Sequence, residues 1–241
     1  MEASEYDNIA RLEERHWWYV GQRRIAEQMT RGLRLPAGAR ILDAGCGAGG
    51  GLRWLAGFGA PTGIDFHPRA VRYAAQASPR VARASIESLP FADAAFDLVT
   101  SFEVLYHLAV TDDRAALREL ARTLKPGGWL LARVPAHDWL RGAHDWHVHT
   151  RHRYAKRELA EKIKAVGLEL RRLTYVGAML FFPAVLTRLT QRAETAHTDV
   201  TLPSPFVNQM LTAGLAAEGA WLEHFDLPLG LSLLALAQKP G

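Results

Sequence analysis

The chain has 241 residues, 49% of them apolar and 22% charged, with a formal net charge of +4 and a single cysteine. Length and apolar share predict one large domain, or one domain carrying an insert, and they exclude global disorder. The lone thiol, Cys46, excludes an internal disulfide framework and makes a reducing cytoplasm the expected compartment.

Residues 1–34 hold acids at Glu2, Glu5, Asp7, Glu13 and Glu14 and no apolar signal-peptide core, so they are expected to form a helical prefix. Arg40–Ala44 is a short apolar strand that ends in glycines, and a helix is expected at Gly50–Gly57. Pro61–Asp65 follows as a strand and Pro68–Ala77 as a helix with proline in its first turn. Arg80–Ala84 is a third strand and Phe96–Ser101 a buried fourth. Asp112–Leu124 is an amphipathic helix with Leu117, Leu120 and Leu124 on one face. Lys125–Gly128 reads as a stop and turn before a strand at Trp129–Val134. A helix at Lys156–Val166, closed by Gly167, leads to a strand at Leu168–Tyr175. Residues 176–228 break this rhythm and are expected to form a helical cap, before a last strand within residues 229–241.

Strands alternating with helices of this length predict an α/β fold, a Rossmann-like, doubly wound and mostly parallel sheet. The longest apolar stretch, Val176–Leu186, is interrupted by Pro183 and is too short to cross a bilayer, which takes about 20 residues. The 24 arginines and 5 lysines are spread along the chain. They describe a solvated surface, and no nucleic-acid partner is expected. The apolar residues of the insert suit a homodimer face or a lid over an apolar acceptor.

The chemistry concentrates at Asp43-Ala44-Gly45-Cys46-Gly47-Ala48-Gly49. Glycines after a strand let the backbone turn sharply and let a ligand lie against bare main chain. Gly45, Gly47 and Gly50 also satisfy the dinucleotide pattern, which alone is weak evidence. Asp65, at the end of the next strand, is placed to accept ribose hydroxyls. An adenosine-containing cofactor follows, either a dinucleotide or S-adenosylmethionine. Asp43 would repel a pyrophosphate but attract an α-amino group, which favours the second.

Ile41–Gly49, Gly63–Asp65, Ser85–Phe91, Phe96–Leu108 and Leu124–Gly128 together resemble the ordered motifs of class I S-adenosylmethionine-dependent methyltransferases, in the branch that acts on small molecules. The resemblance implies a seven-stranded sheet with a reversed last strand. It implies that Gly45, Cys46 and Gly47 line the methionine and ribose part, with Asp43 near the amino end and Asp65 on the ribose. Phe66, Ser85 and Ile86 would meet the adenine, although Ser85 stands where the family often has Asp. Phe102 would sit beside the sulfonium, with His107 facing the cofactor. His16–Tyr19 and the following arginines resemble a lid helix, so that Tyr19 and Arg24 would meet the cofactor and Trp18 the acceptor. The alternative is that Trp17 and Trp18 staple a helix to the core.

His107 and His149 are the candidate general bases, needed if the acceptor carries a proton to be lost. Tyr106, Trp146, Arg151, Arg153 and Tyr154 are the candidate acceptor contacts. Ala136–Tyr154 repeats Ala-His-Asp-Trp, and His147 and His149, with His144 or Asp145, form a conceivable metal set. No metal is assigned, because no second ligand cluster supports it. The rival readings are a nicotinamide-dependent oxidoreductase and a non-catalytic cofactor-binding subunit.

Overall fold

The computed structural model describes residues 3–142, 145–146, 148–190 and 201–241. Helices α1 (Ala3–Leu12) and α2 (Trp17–Arg31) precede β1 (Arg40–Ala44), α3 (Gly50–Leu55), β2 (Ala60–Asp65), α4 (Pro68–Ala74) and β3 (Val81–Arg83). Next come β4 (Phe96–Phe102), α5 (Asp113–Thr123), β5 (Leu124–Pro135), α6 (Lys156–Ala165) and β6 (Glu169–Val176). The chain closes with α7 (Phe181–Thr190), α8 (Pro205–Trp221) and β7 (Ser232–Gln238). The sheet order is β3-β2-β1-β4-β5-β7-β6. β7 runs antiparallel to both of its neighbours, and the other pairs are parallel.

Alternation along each strand explains why helices cover both faces. Leu42, Val99 and Leu130 enter one apolar cluster with Leu117, Leu120, Leu159 and Ile163. Their chain neighbours Ile41, Leu98 and Leu131 enter another with Ile25, Met29, Leu215 and Leu222. Successive strand residues point to opposite faces, so each strand is anchored twice. The helix starts are set locally. Asp112 accepts from the Arg114 N–H at 2.8 Å, and His67 accepts from Arg69 at 3.2 Å with Pro68 in the first turn.

One expectation changes. Lys125–Gly128 is not a free turn: β5 already pairs from Leu124 with Phe96, and the register slips before Leu98. Lys125 Nζ grips both oxygens of Asp97 at 2.8 Å, and Gly127 takes φ 76°, so the segment is the irregular start of a strand. The insert's two helices take different places, and Ala184 of α7 lies beside the carboxyl ends of the strands. α8 lies along α2, where Leu215 occupies the space that a side chain at Gly21 would need. Its only ionisable residue, Glu218, is buried and accepts from the Gly177 and Ala178 N–H groups, which pins the insert to the end of β6. Full burial of Leu215 contributes about 1.5–3 kcal/mol to that docking. Among the described residues no helix is long and apolar enough to cross a membrane.

Candidate active site

The carboxyl ends of β1, β2, β4 and β5 open into one cavity of about 790 Å³. β1 ends in a turn at Gly45 and Gly47, both left-handed at φ 91° and 54°. The Gly45 and Cys46 N–H groups donate to the Ile64 carbonyl at 2.8 and 2.9 Å, which ties the turn to β2. A side chain at Gly45 would strike Val104, whereas one at Gly47 would meet open space. The turn therefore packs its first glycine and presents its second as bare main chain to the cavity.

Three carboxylates converge there. Asp65 accepts from Gly47 N–H at 3.1 Å and His67 N–H at 2.8 Å. Asp43 accepts from Thr100 Oγ1 at 2.8 Å. Glu13, between α1 and α2, accepts from Gly50 N–H and Arg53. Burial raises the pKa of Asp65 and of Glu13. Burial also pushes Asp43 up to about 6, with Asp65 and Glu13 adding repulsion. Such a group of carboxylates gains most from a cationic ligand. Cys46 is buried in the wall, and burial pushes its thiol up, so it is not a nucleophile.

Tyr19, Phe66, Ser85, Ile86 and Phe102 also line the cavity. Phe66 is well exposed beneath the Arg83 guanidinium, and Ser85 Oγ accepts from Glu87 N–H. Tyr6 and His67 form a stacked pair 4.3 Å apart in the same wall. Sequence reasoning missed this pair and Glu13, because α1 meets α4 only through tertiary contact.

Beyond Phe102, the wall is made by Trp18, Glu103, Tyr106, His107, Arg133, His149 and Arg153, among others. His107 Nδ1 accepts from Ala109 N–H at 3.1 Å, which leaves the proton of the neutral ring on Nε2. Burial, with nearby His149 adding, pushes His107 down to about 4. His107 is thus neutral, with its Nδ1 already engaged by the backbone. His149 sits 5.6 Å away, ring to ring, on a backbone at φ 56° that few residues adopt.

Four expected site residues lie outside this wall. Arg24 is exposed on α2. Trp146 is 75% exposed. Arg151 donates to the Thr111 carbonyl and faces Asp113. Tyr154 is a core residue, 1% exposed, whose hydroxyl donates to Asp113 at 2.6 Å. Arg153 does reach the cavity, but Asp145 and the Ala136 carbonyl hold its guanidinium. His144 and His147, two members of the conceivable metal set, lie outside the described residues. Asp113, His152 and Glu158 do cluster elsewhere. Lys162 already bridges Asp113 and Glu158, so a cation fills that place.

Residues 42–132 match the family model described as a methyltransferase domain. A malonyl-[acyl-carrier protein] O-methyltransferase of Erwinia pyrifoliae is 40% identical over 116 residues, 46% of this chain and 42% of that one. The chain thus spans less than half the length of that relative. Methyltransferase GfsG of Streptomyces halstedii is 30% identical over 239 residues, 90% of this chain and 80% of that one. The fold is shared with a methyltransferase solved in complex with the Haloferax volcanii Trm112 activator, with a TM-score of 0.64, 22% identity and 98% of each chain covered. With similarity of that extent over nearly its whole length, and with a reversed strand β7 closing the sheet, the chain belongs to the class I S-adenosylmethionine-dependent methyltransferase family.

Proposed function

We propose that the protein transfers a methyl group from S-adenosylmethionine to a small-molecule acceptor. The observation that carries this reading is one cavity in which Asp43, Asp65 and the bare Gly47 turn meet Phe102, His107 and His149. The residues fit the cofactor. The Asp65 carboxylate, in the cavity wall, can accept two ribose hydroxyls, and the Asp43 carboxylate suits an ammonium or sulfonium. The bound group would supply an electrophilic methyl for in-line attack, and the chain's own contribution is to orient, exclude water and take up a proton. Phe102 and Trp18 exclude water around the reacting atoms. His107 donates from Nε2 to an acceptor oxygen, and His149 accepts the proton that a hydroxyl loses. The relative named for O-methylation supports oxygen as the receiving atom. The nicotinamide alternative is disfavoured by the carboxylates at the glycine turn, which would repel a pyrophosphate.

Calorimetry tests the cofactor. S-adenosylhomocysteine binds and NAD does not; the reverse result removes the reading. The pH dependence is specific. Asp43 titrates near 6 in the free protein, and a cationic ligand lowers that value by favouring the ionised form. Affinity is therefore level above about pH 7 and falls by up to about tenfold per unit below about pH 6. A flat profile down to about pH 5 contradicts the placement of Asp43.

His149→Ala lowers turnover about 100-fold, within the usual range for a lost general base, and leaves cofactor affinity unchanged. Wild-type turnover removes His149 as base. Homodimerisation through residues 176–228 is part of this reading, supported by exposed Phe182, Leu186, Phe206 and Met210. Sedimentation equilibrium that returns only the 26.7 kDa species removes it.

A further inference from the structure

The acceptor side of the cavity holds two guanidinium–carboxylate pairs, of which Arg133, Arg153 and Asp145 are nearly withdrawn from solvent and Glu103 is partly exposed. Arg133 Nε donates to Glu103 Oε1 at 2.7 Å, and Arg153 Nε donates to Asp145 Oδ1 at 2.8 Å. Among the described residues of this wall the four charges cancel pairwise. The pairs differ in what they leave over. Arg153 spends Nε and Nη2 on Asp145 and Nη1 on the Ala136 carbonyl. Arg133 spends Nε on Glu103 and Nη1 on Gln22 Oε1 at 2.8 Å, with its guanidinium over the Phe102 ring. Its Nη2 has no protein partner among the described residues, although Arg133 is only 9% exposed and belongs to the cavity wall. Nη2 is not among the fully buried unpaired atoms, so it is presented to the cavity, where a ligand can reach it.

We propose that Arg133, neutralised by Glu103, is the specificity-determining residue of the acceptor pocket, and that it selects acceptors whose recognised oxygen is uncharged. The inference rests on the methyltransferase reading and deepens it. A carbonyl or hydroxyl oxygen on an apolar body takes the Nη2 hydrogen bond without further cost. A carboxylate at the same place must share the guanidinium with Glu103, and at low local dielectric the two anions repel over a few ångströms. Gln22 and Phe102 keep Arg133 from swinging away to serve an anion alone. The pocket therefore discriminates against carboxylate acceptors despite its two arginines.

The test uses the full chain saturated with S-adenosylhomocysteine, titrated with naphthoate and with its methyl ester, two probes of one shape and different charge. The wild type is expected to bind the ester at least about tenfold more tightly than the acid. Glu103→Gln keeps the shape and uncovers the arginine's charge, so it should tighten naphthoate about tenfold while S-adenosylhomocysteine affinity stays within about twofold. Arg133→Gln should weaken the ester and, by leaving Glu103 without its counter-charge, weaken naphthoate at least as much, so that the preference for the ester persists while overall affinity falls. Naphthoate bound as tightly as the ester by the wild type overturns the proposal, as does a wild type that takes neither probe. An unchanged ratio in a folded Glu103→Gln variant also overturns it. If that variant does not fold, the wild-type ratio and Arg133→Gln decide. Failure of S-adenosylhomocysteine itself to bind strikes the methyltransferase reading instead, so the two failures are distinguishable.

Discussion

Asp65→Ala is expected to weaken S-adenosylhomocysteine binding by roughly 100-fold, with little loss of stability. The carboxylate offers charge-assisted acceptors for two ribose hydroxyls, and hydrogen bonds to a charged group are worth about 1.5–3 kcal/mol each. It also accepts from the Gly47 and His67 N–H groups, so its loss loosens the bare main chain on which the ligand lies. Stability should hold because burial already raises this group's pKa, which means that its charge is a burden in the free protein. Calorimetry and thermal melts read the two quantities apart. Unchanged affinity would remove Asp65 from the cofactor site, and a collapse of both would make it a structural residue.

Arg153→Ala should instead unfold the acceptor wall. Asp145 has only 3% of its side chain exposed, and removal of Arg153 takes away the guanidinium that balances its charge, although the Gly142 N–H still donates to it. Breaking such a pair costs about 3–5 kcal/mol, a large part of a typical stability of about 5–15 kcal/mol. Adding Asp145→Asn should recover part of the loss, since the neutral amide needs no counter-charge. Arg24→Ala, at an exposed position outside the cavity wall, should stay within about 0.5 kcal/mol of wild type. Urea melts of the four proteins check this. A loss below about 1 kcal/mol for Arg153→Ala would show that the pair does not hold the wall.

Both predictions turn on residues that the sequence singled out, but for unlike reasons. Asp65 was legible because strand, turn and carboxylate stand at a local spacing that the fold preserves. Arg153 was legible only as one of several polar residues in Ala136–Tyr154. Within that loop, His149 and Arg153 reach the cavity, while Trp146, Arg151 and Tyr154 do not. Nothing in residue type separates the two groups. What separates them is the set of partners that the loop meets on closing: Asp113 for Tyr154, Thr111 for Arg151 and Asp145 for Arg153.

The sequence by itself determined the alternation of strands and helices and the glycine turn after β1, while the seventh, reversed strand followed from the family resemblance. Apolar alternation and glycine turns are local features, and burial on two sheet faces writes them into every strand. Tertiary structure alone decided the acceptor end. It joined Gln22 to Arg133 across 111 positions and Glu103 to Arg133 across 30, and it laid α8 along α2. It also showed Lys125–Gly128 to be the start of a strand, held by Asp97 from β4. Charge pairs and packed faces of this kind depend on which distant segments meet, and no local periodicity encodes that meeting.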